Sequence, residues 1–278
     1  MNEIEKGALY VVGTPIGNLS DISERAKKVL AEVDFICAED TRVSGKLLNL
    51  LGIKNSFVSY HEHNKAKAAP EIADRLLSGQ TAAIITDAGM PAISDPGEDL
   101  ARLCREKGIR VIPVPGACAF VTALAASGFP SRRFCFEGFL PTSKKEQSEV
   151  LSRYKNDDRT VIFYEAPHRL TKTLSVLLDA LGDRSICLAR ELTKLNEEIR
   201  TTTIKQALKE YSQKEPRGEY VLVVGGTENC ENAASFENLT VKQHVAFYEN
   251  QGMSKMDAIK ACAKDRGLPK SEVYKEFI

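Results

Sequence analysis

An α/β fold of two consecutive domains with a small helical appendage is predicted, and three observations predict it. Short apolar runs alternate with amphipathic stretches along the first 128 residues. Glycines punctuate the ends of the amphipathic stretches. A chain of 278 residues is too long for one small core and comfortable for two domains of ordinary size.

The elements follow in order. "ALYVVG" leads into "ISERAKKVLAEV", "DFICAED" into "GKLLNLLG", and "SFVSYHE" into "APEIADRLLSG". "AAIITDAG" leads into "EDLARLCREKG", and "RVIPVPG" into "CAFVTALAASG". The second member of each pair has the apolar spacing of an amphipathic helix, as in Ile72, Leu76 and Leu77, or Leu100, Leu103 and Cys104. Gly52, Gly79, Gly108 and Gly128 stand where a left-handed C-terminal cap is expected. The first members are apolar nearly throughout, as strands buried on both faces of a mostly parallel sheet are. These β–α units make an N-terminal α/β domain over residues 1–117.

A C-terminal α/β domain follows over 118–228, with strands at "RFCFEGFL", "TVIFYEAP", "SICLAREL", "EEIRTTT" and "GEYVLVVGG". Helices are expected at 143–155, "RLTKTLSVLLDALG" and "IKQALKEY". Its sheet is mixed, because too little chain separates "SICLAREL" from "EEIRTTT" for a helical crossover. "GGTENCENAASFENL" reads as a linker. Residues 236–278 form a helix-turn-helix-like module of three short helical patterns. Over 240–278 it holds seven basic and five acidic residues, so a docking or dimer-stabilising cap and an RNA-contacting module both stay open.

Charge is balanced, with 38 basic and 38 acidic residues, so no global field points to nucleic acid or a membrane. A polyanionic partner has to be met by a local patch. Residues 130–172 offer one, with nine Lys or Arg, including Arg132–Arg133 and Lys144–Lys145, against six acids. A charged surface helix explains much of that excess. Seven dispersed cysteines without a CxxC pair argue for reduced thiols, and four scattered histidines make no metal set. The opening "MNEIEKG" is polar and acidic, unlike a signal peptide, and no apolar run approaches membrane-spanning length. The expectation is a soluble, cytoplasmic protein without membrane or metal.

The turn "GTPIG" after the first strand raises the possibility of a dinucleotide site. Glu39–Asp40 lies at the spacing of a ribose-binding acid. The turn argues against it: only Gly13 and Gly17 are present, and Pro15 between them has no N–H to offer a phosphate. Stronger signals are "ITDAGMPAISDPG" after the fourth strand and "PVPGACA" after the fifth. In a parallel sheet these loops share one crevice with the first turn. Few lysines or arginines lie in them, which suits an adenosine with a zwitterionic arm better than a pyrophosphate.

Taken in order, "LYVVGTPIGNLSDIS", "AEDTR", "YHEHN", "ITDAGMPAISDPG", "VPGACA", "FEGFLP", "YEAPHR" and "ARELTK" resemble the tetrapyrrole-methylase superfamily of S-adenosylmethionine-dependent methyltransferases. "AEDTR" with "YHEHN" resembles its ribosomal RNA branch, which 2′-O-methylates a cytidine ribose in bacterial 16S ribosomal RNA. The porphyrinoid enzymes carry a G-x-G-P-G-type first turn and a G-G-D-P-type fourth loop. "GTPIG" and "TDAGMP" depart from both. The resemblance implies S-adenosyl-L-methionine in a cleft between the two α/β domains. It implies contacts from Pro15, Asp87, Gly89, Met90, Ile93, Gly116, Ala117 and Cys118, with Glu165 and Ala166 closing the cleft from the second domain. It also implies a homodimer acting on 16S ribosomal RNA or the small ribosomal subunit.

A ribose hydroxyl is a poor nucleophile until its proton leaves, so a general base is expected. Glu39, Asp40 and Arg42 of "AEDTR" and His61 of "YHEHN" are the candidates. Strand alternation sets His61 and His63 on one side if the third strand reaches them. Glu39 and Arg42 have a structural ion pair as the plainer alternative. Glu191 and Lys194 of "RELTK" are further possibilities. Two other functions are weighed: methylation of a porphyrinoid, and a nucleotide-sensing regulator whose tail binds DNA.

Overall fold

The computed structural model describes residues 3–227, 239–250 and 252–277; Cys230 and most of the expected linker lie outside the described residues. The chain forms two compact units. The larger comprises Met1–Lys155 with Arg159–Gly226, and the smaller Asn156–Asp158 with Thr227–Ile278.

The larger unit contains two five-stranded sheets. The first is built from β1 (Leu9–Val12), β2 (Phe35–Ala38), β3 (Phe57–Ser59), β4 (Ala82–Ile85) and β5 (Val111–Val114), in the order β3-β2-β4-β1-β5. All its pairings are parallel. Period-two alternation sends Leu9 and Val11 to one face and Tyr10 and Val12 to the other. The first face is covered by α3 (Lys65–Leu77) and α4 (Gly97–Glu106), through Ile72, Leu76 and Leu100. The second is covered by α1 (Glu24–Glu32) and α2 (Thr41–Leu50), through Val29, Leu30 and Leu48. This two-sided burial is why the strands read as unbroken apolar runs. All four predicted cap glycines adopt left-handed φ, from 69° at Gly52 to 96° at Gly79.

The second sheet is mixed, as expected. Its strands are β6 (Phe134–Phe139), β7 (Thr160–Glu165), β8 (Ser185–Arg190), β9 (Glu198–Thr203) and β10 (Tyr220–Val224), in the order β6-β7-β10-β8-β9. Only β6 and β7 run parallel. One face packs on α6 (Lys144–Ser152), α7 (Pro167–Leu181) and α8 (Ile204–Tyr211). The other carries α5 (Ala119–Ser127), which follows β5 in sequence but packs on this second sheet. The smaller unit holds α9 (Val241–Asn250), α10 (Lys255–Asp265) and α11 (Lys270–Lys275) around Val245, Ile259 and Val273. Among the described residues, no helix is long and apolar enough to cross a membrane.

Two local expectations change. β3 ends at Ser59, so His61 and His63 do not share a strand face. They lie in a turn closed by Asn64, whose Oδ1 accepts the His61 N–H at 2.8 Å, with ring centroids 6.0 Å apart. Nor do Glu39 and Arg42 pair: the Arg42 guanidinium meets Asp40 at 2.7 Å. The reason is local. Asp40 is the N-cap of α2 and accepts the Arg42 N–H at 2.8 Å, which draws both residues into the start of the helix.

Candidate functional site

The carboxyl ends of the first sheet face the ends of β6, β7 and β8 and the start of β10, and enclose a cleft of about 390 Å³. That volume is in the range of small-molecule sites, which run from about 300 to 1,000 Å³.

The first turn forms one wall by close backbone packing. Gly13 donates to the Val114 carbonyl at 3.0 Å, and Thr14 to that of Gly89 at 2.9 Å. A Cβ on Gly13 would stand 2.6 Å from the Gly116 Cα and 2.7 Å from the Met90 sulfur. Only two glycines let the β1 and β5 loops approach this closely. Thr14 is buried beneath them. Ile16 reaches the cleft; Pro15, Gly116 and Ala117 are not among its lining residues. The turn is a packing joint: the N–H groups of Gly13 and Thr14 are already bonded and Pro15 has none to offer.

The β4 loop supplies Thr86, Ala88, Gly89, Met90, Ile93, Ser94 and Asp95. Ala92 and Ser94 hold left-handed φ of 66° and 63°, a conformation that costs a non-glycine residue energy. Asp95 compensates. Its carboxylate accepts the N–H groups of Ala92 at 2.8 Å, Ile93 at 3.2 Å and Gly97 at 2.8 Å. Asp87 lies beside the cleft rather than in its lining, and accepts the Asp40 N–H at 3.3 Å, tying the ends of β2 and β4 together.

Glu39 is the one member of "AEDTR" that lines the cleft. Its carboxyl accepts a hydrogen bond from Thr86 Oγ1 at 3.4 Å. Desolvation, then the charges of Asp87 and Asp95, push its pKa above the ordinary carboxylate range. Desolvation likewise raises Asp87. Asp40 is the opposite case: hydrogen bonds from Arg42 hold it far below the usual range. Arg42 points away into solvent at 87% side-chain exposure, and His61 is outside the lining.

The second sheet closes the cleft with Phe139, Tyr164, Glu165, Ala166, Ala189, Leu192, Lys194, Glu219, Tyr220 and Val221. The Glu165 side chain is fully buried, and its charge is engaged inside the protein. It accepts from Thr173 Oγ1 at 2.5 Å and the Ala166 N–H at 2.9 Å, and pairs with Arg169 at 3.3 Å. Lys194 bridges Glu191 and Glu219, each at 2.9 Å. Burial works against its charge, but the two carboxylates outweigh burial and raise its pKa. Their loop again contains left-handed non-glycine residues, Glu191 at 51° and Thr193 at 66°. Burial pushes the Tyr164 phenol up to about 12, and its oxygen accepts the Phe120 N–H at the start of α5 at 3.2 Å.

Of the residues predicted to hold a cofactor, Gly89, Met90, Ile93, Cys118, Glu165 and Ala166 line the cleft. Ile16, Thr86, Ser94, Asp95, Phe139, Tyr164, Glu219, Tyr220 and Val221 line it without having been singled out. Asp95 had a local signal, an aspartate two residues before the first glycine of a helix. Glu219 and Tyr220 had none, because β10 reaches the cleft only through its antiparallel register with β7 and β8.

The chemistry of the donor set defines what fits. Ile16, Met90, Phe139, Leu192 and Val221 offer apolar walls to a ring system. Of the lining carboxylates, Glu165 is paired with Arg169 and Glu219 with Lys194, which leaves Glu39 and Asp95 facing the cleft without an ion-pair partner among the described residues. Such a lining suits a ligand with an apolar ring and a cationic arm, and repels a pyrophosphate.

Residues 8–208 match the family model for tetrapyrrole (corrin/porphyrin) methylases. A protein of Halalkalibacterium halodurans named ribosomal RNA small subunit methyltransferase I is 47% identical, covering 97% of this chain and 94% of its own. Proteins of the same name from Bacillus subtilis and Haemophilus influenzae are 45% and 47% identical, covering 98% and 96% of this chain and 94% and 95% of their own. Among solved structures, a uroporphyrin-III-C-methyltransferase of Thermus thermophilus superimposes with a TM-score of 0.56 at 20% identity, over 78% of this chain and 94% of its own. A cobalt precorrin-4 methyltransferase superimposes with a TM-score of 0.57 at 17% identity, over 79% and 95%. At that identity the likeness speaks for the fold.

Proposed function

Because the chain belongs to the tetrapyrrole methylase family, we propose that it transfers a methyl group from S-adenosylmethionine to the 2′-oxygen of a cytidine ribose in 16S ribosomal RNA. The observation that carries this reading is near-full-length identity of 45–47% to relatives named as small-subunit ribosomal RNA methyltransferases. The porphyrinoid enzymes share only the fold at 17–20% identity, and their turn signatures are replaced here. The same reading makes the protein a cytoplasmic homodimer whose partner is the small ribosomal subunit.

The lining fits the methyl donor. Apolar side chains take the adenosine, and the unpaired carboxylates of the first sheet oppose the positive charge of the sulfonium and the ammonium. Bound there, the donor supplies an electrophilic methyl carbon. The protein supplies alignment and the removal of a proton. Glu39 is the base: it faces the cleft, its carboxyl has few hydrogen bonds, and its raised pKa brings it closer to the operating pH. The Thr86 hydroxyl orients it, and Asp87 and Asp95 sustain its proton affinity. Asp87, through the Asp40 N–H, and Gly116, packed on Gly13, set the position of the loops that contact the donor.

Nucleoside mass spectrometry of small-subunit RNA from cells with and without the gene tests the reading. Loss of one 2′-O-methylcytidine, restored by the purified protein and S-adenosylmethionine, is the expected outcome. An unchanged nucleoside profile rejects it.

A further inference from the structure

The second sheet carries a second cavity at the same strand ends as the cleft but on its other face. Strand alternation explains the placement. Ala189 and Val221 point to the α5 face and into the cleft, while their neighbours Arg190 and Tyr220 point to the α7–α8 face. Arg190 and Tyr220 sit opposite each other in the β8–β10 register. With Tyr211, Lys214, Glu215 and Arg217 they enclose about 220 Å³. Tyr220 belongs to both cavities.

The lining is cationic, with Arg190, Lys214 and Arg217 against Glu215. Lys214 makes no ion pair among the described residues. Arg217 meets Glu215 only at 3.7 Å, and both side chains are more than 80% exposed. The Arg190 Nε is buried without a hydrogen bond and approaches Glu198 at 3.4 Å as an ion contact, while its Nη2 donates to the Asn196 carbonyl at 3.3 Å. The Tyr220 hydroxyl donates to the Tyr211 hydroxyl at 3.4 Å, which leaves the Tyr211 O–H as the phenol donor of the pair. Burial keeps the Tyr220 phenol protonated. Guanidinium groups, an exposed ammonium and a phenol O–H are the donor types that recognise a tetrahedral phosphate oxyanion.

We propose that this pocket takes a backbone phosphate of the substrate RNA strand, flanking the nucleotide whose ribose enters the cleft. The proposal rests on the reading of the substrate as RNA. The strand crosses the rim at Arg217–Glu219, where Gly218 at φ 80° packs on the Glu191 side chain, which a Cβ would meet at 2.5 Å. One side of the sheet then holds the methyl donor and the other fixes the register of the chain being methylated. Phosphate contacts of this kind position a nucleic acid without reading its sequence.

The test compares wild type with Lys214→Ala/Arg217→Ala, two surface changes, and with the charge-conserving Lys214→Arg/Arg217→Lys. Binding to protein-free small-subunit RNA is measured across a salt series. The alanine pair is expected to weaken binding on the order of three- to tenfold and to flatten the log–log salt slope by about 0.7 per phosphate lost. The conservative pair keeps the wild-type slope. Cofactor affinity by calorimetry stays at the wild-type value in both. Unchanged RNA affinity and slope in the alanine pair, while wild type still methylates that RNA, overturns the proposal. So does an equal loss of cofactor affinity, which would make the pocket part of the cleft. A third arm titrates inorganic phosphate against melting temperature: stabilisation of wild type alone, with RNA slopes identical, marks a free-anion site and also overturns it. Failure of the RNA reading itself is seen in wild type, as absence of methylation before any variant is compared, and the proposal falls with it.

Discussion

The two walls of the cleft handle their carboxylates in opposite ways. On the second sheet every acid near the site is paired: Glu165 with Arg169, Glu191 and Glu219 with Lys194. On the first sheet Glu39 has one weak hydrogen bond and Asp87 one backbone donor, and both are raised in pKa by desolvation and neighbouring charge. Asp95 there is satisfied, but by backbone N–H groups rather than by a cation. The contrast separates a wall that is stabilised by its charges from one that keeps its charges available for chemistry. Raised carboxyls cost the ligand-free fold stability, which is the usual bargain at a reactive site.

The largest effect expected from that contrast is at Glu39. Glu39→Gln should lower the methylation rate on the order of 10²- to 10⁴-fold, with cofactor affinity close to wild type. Single-turnover rates and calorimetry read the two separately. The wild-type rate should climb with pH through a pKa above 4.5, because the base works only when ionised. A carboxyl whose folded pKa is raised favours the fold when protonated, so its ionised form is the destabilising one above that pKa. Melting temperature at neutral pH should therefore hold or rise in Glu39→Gln; a clear fall would erase the distinction between the walls.

Next is the buried pair on the other wall. Glu165→Ala leaves Arg169 and Thr173 without their partner and should cost about 3 kcal/mol of stability by denaturant titration. Asp95→Ala comes third. It removes the acceptor of three N–H groups around two strained residues and should cost about 2 kcal/mol, with weakened cofactor binding. If it left cofactor binding intact, the β4 loop would not need its carboxylate to keep its shape. Smallest is Lys194→Ala. The bridge is partly exposed, so it should be worth about 0.5 kcal/mol, a difference that shrinks as salt screens it. The Glu191 carboxyl, held low chiefly by Lys194, supports the fold above its unfolded pKa and ceases to as pH falls through the folded value. Melting curves at low and high salt check both statements.

Much of this was legible in the chain. Apolar runs buried on two faces identified the strands, and cap glycines marked where helices end. "AEDTR" pointed to Glu39, but a strand-end reading could not separate it from Asp40 and Arg42, because an N-cap draws those two into a helix with no change in composition. "YHEHN" left open how far the third strand runs, and the turn that Asn64 closes on His61 settles it. The packing of Gly13 on Gly116 and of α5 on the second sheet depends on neighbours far away in sequence, and no local period records it.

By itself the sequence determined the element order, the parallel first sheet and mixed second sheet, and the family, since periodicity, capping and motif order are short-range properties of a polymer. Only the tertiary structure decided which carboxylates face the cleft, which are neutralised, and that the strand end bearing the cleft carries a cationic pocket on its reverse. Those are consequences of register and of charge meeting charge through space, where sequence separation has no bearing on distance.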